Sequence, residues 1–167
     1  LPDPLAAAAR LPRGAGVLAR GATPGVLAGL AALCRRRGLT LLVGGAPRAA
    51  LRHRAGLHLP DRAPPAGFGA FLRVRRGGAR WALLSAAVHG RAGLARARRL
   101  RSDLAFVSPA FPTASHPGAP GLGPHRWARL ARAVPCGAVA LGGVNGGTAG
   151  RLPRAAAGMA AIGALAG

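Results

Sequence analysis

Seven short apolar runs return along the chain, at residues 16–20, 39–43, 56–59, 81–88, 104–108, 137–141 and 159–164. Helix-length segments separate them, several with recognisable starts and stops. Thr23 before Pro24 reads as an N-cap and first turn, and Gly38 as a stop. Leu27, Leu30, Leu33 and Cys34 give that segment an apolar face at helical spacing. Asp3 before Pro4 caps a first helix over 5–11, and others are expected at 47–53, 68–76, 93–100, 125–133 and 148–157. Regular alternation of this kind implies a parallel α/β fold. The runs carry few β-branched residues, so the alternation, not any single run, carries the reading. The 167 residues suit one domain over 1–167.

Two α/β arrangements remain, an open doubly wound sheet and a closed barrel. The last two strand ends favour the barrel. The run 137–141 leads straight into Gly142-Gly143-Val144-Asn145, and a weaker version, Ile162-Gly163, closes the chain. Glycines there let the backbone approach a ligand, and amides at the following helix start can hold a phosphate. Two successive strand ends of this kind form the usual phosphate site of a (β/α)8 TIM barrel. That barrel has eight strands and seven are counted, so the first is expected upstream of Leu1.

The formal charge is +21. All 24 basic residues are Arg, and Lys, Glu and Tyr are absent. Such a composition is the imprint of a GC-rich coding sequence, with Arg spread over a solvated surface. The clusters Arg35-Arg36-Arg37 and Arg96, Arg98, Arg99 and Arg101 lack interleaved aromatics for base stacking, so nucleic acid is not an expected partner. Small anions are. Aromatic bulk is limited to four Phe and two Trp, which predicts a close-packed, Ala-rich core. Cys34 and Cys136 have no metal-like spacing and read as buried hydrophobes. No apolar run is long enough to span a bilayer and no signal-peptide pattern is seen, so a cytoplasmic location is expected.

The segment Ser108-Pro109-Ala110-Phe111-Pro112-Thr113-Ala114-Ser115-His116-Pro117-Gly118 is the most specific in the chain. With Gly56-Leu57-His58-Leu59, Ala87-Val88-His89 and Leu141-Gly142-Gly143-Val144, in that order, it resembles the thiamine phosphate synthase/TenI family. The resemblance runs from Asp3 to Gly167. It implies a small (β/α)8 barrel, often a homodimer. It also implies an enzyme that joins a pyrimidine methyl pyrophosphate to a thiazole phosphate, with Mg²⁺ on the leaving pyrophosphate. A sister branch tautomerises the thiazole phosphate with a strand-end histidine and needs no cofactor. A third reading is a non-catalytic phosphate-ligand binder on the same scaffold.

Carried over by position, Gly142, Gly143 and Val144 match the thiazole-phosphate loop, and Ile162 and Gly163 match its partner at the last strand. Thr113 and Ser115 match the hydroxyl-bearing loop. Arg20 matches an arginine that contacts pyrophosphate, and His58 and His89 match strand-end histidines. There are departures. Leu18 and Ala22 stand where the synthase pattern has glutamine and lysine, and Gly44-Gly45 replaces an Asn-Asp pair. His116 stands directly after Ser115 where a lysine would follow, and Ala87-Val88-His89 is closer to the tautomerase.

Mg²⁺ wants carboxylate and phosphate oxygens. Of Asp3, Asp61 and Asp103, only Asp61 follows a strand end, which makes it the candidate metal ligand, although a lone Asp in a Pro-Asp-Arg loop is more often just solvated. His89 can act as a general acid or base, or simply hydrogen-bond to backbone. His58, between Leu57 and Leu59, reads as a core histidine.

Overall fold

Residues 3–113, 118 and 120–162 are described by a computed structural model, in which seven strands alternate with seven helices. The chain divides into two units, one ending at Leu84 and the other starting at Ser85.

The first unit contains α1 (Pro4–Ala9), β1 (Gly16–Ala19), α2 (Pro24–Arg37), β2 (Thr40–Gly44), α3 (Pro47–His53), β3 (Gly56–Leu59) and α4 (Phe68–Arg76). The capping residues act as their chemistry predicts. Asp3 Oδ1 accepts the amides of Leu5 and Ala6 at 3.0 and 2.9 Å. Thr23 Oγ1 accepts the Val26 amide at 3.4 Å, and Gly38 ends α2 in the left-handed region. β1, β2 and β3 are parallel neighbours, with Ala19 beside Val43 and Gly44 beside His58. β3 is buried along its whole length, as expected of a parallel strand covered on both faces. Leu27, Leu30, Leu42, Leu57, Leu59 and Phe71 form the bulk of the core here. The strand expected from Trp81 begins at Leu84 instead. The Ala82 amide bonds to the Ala79 carbonyl and the Leu83 amide to that of Trp81, so turns occupy those residues.

The second unit contains β4 (Leu84–Val88), α5 (Arg91–Arg99), β5 (Leu104–Val107), α6 (Gly123–Ala133), β6 (Gly137–Ala140), α7 (Gly146–Ala149) and β7 (Gly158–Met159). These strands too are parallel neighbours in chain order. The core is rich in Ala, as composition predicted: Ala86, Ala97, Ala105, Ala131, Ala138 and Ala140 pack around Val88, Val107, Phe111 and Trp127. Trp127 is fully buried, and its indole N–H donates to the Val107 carbonyl at 3.0 Å. Helix α7 stops well short of the expected 148–157. The Arg151 and Leu152 amides make tight turn bonds to Thr148 and Ala149. Pro153 then has no amide hydrogen and disfavours a helical residue before it.

The expectation of a solvated arginine cluster on α5 is corrected at one position. Arg96 is buried, and its Nη2 donates to the Ala87 carbonyl at 2.9 Å. Cys34 is buried and Cys136 half-buried. Burial pushes both thiols up; the Asp103 carboxylate adds to the rise at Cys136, while Arg35 opposes it at Cys34. Among the described residues no helix is long and apolar enough to cross a membrane.

Candidate functional site

Register decides which side chains can meet. In the second unit Val88, Val107 and Ala140 stand in one row across β4, β5 and β6. The next residues, His89, Ser108 and Leu141, therefore leave their strands at the same edge. The Ser108 amide bonds to the Val88 carbonyl at 3.1 Å, continuing the ladder one step past the strands.

His89 is exposed. Its Nδ1 lies 2.9 Å from the Ser108 carbonyl oxygen and 3.2 Å from Ser108 Oγ. A carbonyl can only accept, so Nδ1 carries the hydrogen in that bond. In the neutral ring this assignment leaves Nε2 as the basic atom. The backbone hydrogen bond expected of this histidine is thus present, made through Nδ1.

The segment after Ser108, joined by a cis Ser108–Pro109 peptide, turns back over the glycine pair. The Ala110 amide donates to the Leu141 carbonyl at 2.8 Å, and the Phe111 amide to that of Gly142 at 3.0 Å. The two segments that carried the family resemblance are therefore hydrogen-bonded to each other. Nothing in the sequence spacing foresaw this. Gly142 and Gly143 have φ of 89° and 64°, which L side chains rarely adopt. A Cβ on Gly143 would run into the Pro112 carbonyl oxygen and stand 2.8 Å from Phe111 Cβ. The close approach that requires glycine here is thus to the chain's own 109–112 segment. The Arg151 guanidinium lies over the Phe111 ring, 5.3 Å from its centre.

Asn145, missed as a functional residue in the sequence, organises the rest of the loop. Its Oδ1 accepts the Gly147 and Thr148 amides at 2.9 and 3.1 Å. Thr148 Oγ1 accepts the Asn145 amide at 2.9 Å and donates to the Gly143 carbonyl at 2.8 Å. This is a capping box, and Asn followed three residues later by Thr was the signal available to find it. The helix-start amides assigned to a phosphate are thus already paired at two positions. Among the described residues the Gly143 and Val144 amides make no hydrogen bond. The Val144 side chain is buried, so only its backbone can serve a ligand. Thr113 is half-buried at the end of the overlying segment. Ile162 is 55 % exposed beyond β7. Ser115, His116 and Gly163 lie outside the described residues.

The first unit brings together a different set. Arg20 follows β1 and is exposed, its chain lying across Gly44, where a Cβ would come within 2.9 Å of Arg20 Cγ. The Gly45 amide donates to the His58 carbonyl at 2.8 Å, and a Cβ on Gly45 would lie 3.7 Å from Arg62 Nη2. His58 is 4 % exposed, as a core histidine should be. Asp61 is exposed in the loop after β3. Two guanidinium groups and one carboxylate therefore sit at the C-terminal ends of these strands, a balance that suits an anion. No group of three or more His, Cys, Asp or Glu side chains gathers among the described residues. Asp3 caps α1, and Asp61 is the carboxylate of this unit that follows a strand end. Such a donor set fits Mg²⁺ carried in on phosphate oxygens and does not fit an all-protein cage.

A family profile described as thiamine monophosphate synthase matches residues 25–165. Among solved structures, a thiamine phosphate pyrophosphorylase from Pyrococcus furiosus superposes with a TM-score of 0.75 at 20% identity, covering 96% of this chain and 79% of that one. At that identity the likeness is one of fold. No curated protein matches the chain by sequence.

Proposed function

The chain belongs to the thiamine monophosphate synthase family, and from that premise we propose that it is an enzyme of thiamine biosynthesis that joins a phosphorylated thiazole to a pyrimidine methyl pyrophosphate. The observation that carries this reading is the hydrogen-bonded pairing of the 108–113 segment with Leu141 and Gly142. It makes one loop system of the two segments on which the synthase resemblance rests. On this reading the Gly143 and Val144 amides receive the thiazole phosphate, and Ile162 and Gly163 are assigned to the same phosphate by the family resemblance alone. Thr113 and Ser115 supply hydroxyl donors. The thiazole nitrogen attacks the pyrimidine methylene carbon, the carbon–oxygen bond to pyrophosphate breaks, and Arg20 neutralises the departing anion. Asp61 would hold Mg²⁺, which when bound neutralises further charge on the pyrophosphate. The closed (β/α)8 barrel, a homodimer and a cytoplasmic location belong to the same reading. Purified protein incubated with both phosphorylated substrates and Mg²⁺ should yield thiamine phosphate. No product at saturating substrate sinks it.

A second reading is favoured by one specific observation, the Nδ1 bond of His89 to Ser108. A histidine so oriented, with a basic Nε2 at a strand end, suits moving a proton on the thiazole ring. This is tautomerase chemistry, and it uses no metal. Incubation of the protein with the phosphorylated thiazole tautomer alone separates the two: turnover without the pyrimidine partner supports the second reading, and none rules it out.

A further inference from the structure

We propose that Ser108 is a positioning residue for His89, fixing both the tautomer and the aim of the imidazole; the inference rests on the second reading above. Ser108 is 8 % exposed and sits directly after β5, in the row beside His89 after β4. It offers the ring two acceptors from one residue, its carbonyl oxygen at 2.9 Å and its hydroxyl oxygen at 3.2 Å from Nδ1. With the hydrogen on Nδ1 committed to the carbonyl, the hydroxyl oxygen can meet the same N–H only as a second acceptor. The backbone of Ser108 is itself held, its amide on the Val88 carbonyl at 3.1 Å and the next residues fastened to Leu141 and Gly142. The carbonyl acceptor therefore cannot drift with the ring it holds, and the hydroxyl can move only about its own side-chain bond. The ring is exposed and would otherwise rotate freely about its side-chain bonds. Holding a proton-transfer group within a narrow range of angles preserves its reach to the reacting atom. A buried serine at this place thus has a task that its burial alone does not explain.

The experiment uses the full chain labelled with ¹⁵N in its five histidines. It is recorded at alkaline pH, where an ordinary imidazole is neutral. The His89 signals are assigned by their loss in His89→Gln. The wild-type ring should carry its proton on Nδ1. In Ser108→Ala the Nδ1–H population should fall and the Nδ1 shift should move. Turnover of the phosphorylated thiazole should drop by about fivefold in kcat, the worth of one hydrogen bond, with KM changed by less than about twofold. Ser108→Thr, which keeps the hydroxyl, should restore most of the rate. Ser108→Cys, similar in shape with a weak acceptor, gives the same reading should the alanine variant fail to fold. A wild-type ring protonated on Nε2 overturns the proposal. So does a Ser108→Ala spectrum and kcat equal to wild type. If no variant or wild type turns the thiazole over, the second reading falls, and the tautomer measurement alone then decides for or against Ser108.

Discussion

The two units carry their candidate residues in contrasting ways. In the second, His89, Ser108, Phe111, Gly142, Gly143, Asn145 and Thr148 are tied in one chain of hydrogen bonds and close contacts. In the first, Arg20 and Asp61 are exposed side chains on separate strand ends. The contrast teaches that a site can be built into the packing of a unit or laid upon its surface. Residues of the first kind hold neighbouring segments in place, while those of the second kind stand at the surface, where a substitution disturbs less packing.

Substitutions can break that distinction. The largest effect is expected at Gly143→Ala. It forces a Cβ into the Pro112 carbonyl at a positive φ, and should destabilise the protein by about 3 kcal/mol, seen as a lower denaturation midpoint. A variant as stable as wild type would mean that the 109–112 segment is not fastened as described. Next, His89→Ala should cut thiazole turnover at least about a hundredfold on the second reading, while phosphorylated thiazole still binds. Unchanged turnover assigns the proton transfer to another group. Asn145→Ala removes the acceptor for two amides and should lower stability by about 1 kcal/mol in thermal or denaturant unfolding. The smallest effect belongs to the other unit: Asp61→Asn should change stability by no more than about 0.5 kcal/mol, as for most surface positions. On the synthase reading it should nevertheless raise the Mg²⁺ concentration needed for half-maximal rate. A loss of stability as large as that at Asn145 would erase the contrast between the units.

Much of the fold was legible because its signals are local. Thr23, Pro24 and Gly38 mark one helix by their own backbone chemistry, and Asp3 marks another. The end of α7 was misread because Ala-rich spacing over 148–157 imitates a helix, whereas Pro153 and the turn bonds before it end the helix early. The site was legible in its residue types and not in its connections. Spacing along the chain cannot show that Ala110 bonds to Leu141, about thirty residues away, because that pairing follows from strand register. Arg96 failed for a related reason. Its helical neighbours Arg98 and Arg99 suggested a solvated face, yet its place in the turn points it at the Ala87 carbonyl.

The fastening of the glycine loop also bears on the kinetics of capture. With Gly142 held by Phe111, and Gly143 held by Thr148, the loop would have little freedom left to surrender to an anion under the proposed function. Ordering entropy, which weakens binding at slack loops, is therefore small here. A phosphate settling on the Gly143 and Val144 amides would meet a receptor already in shape. Differences in affinity among such ligands would then be expressed in how long each one stays.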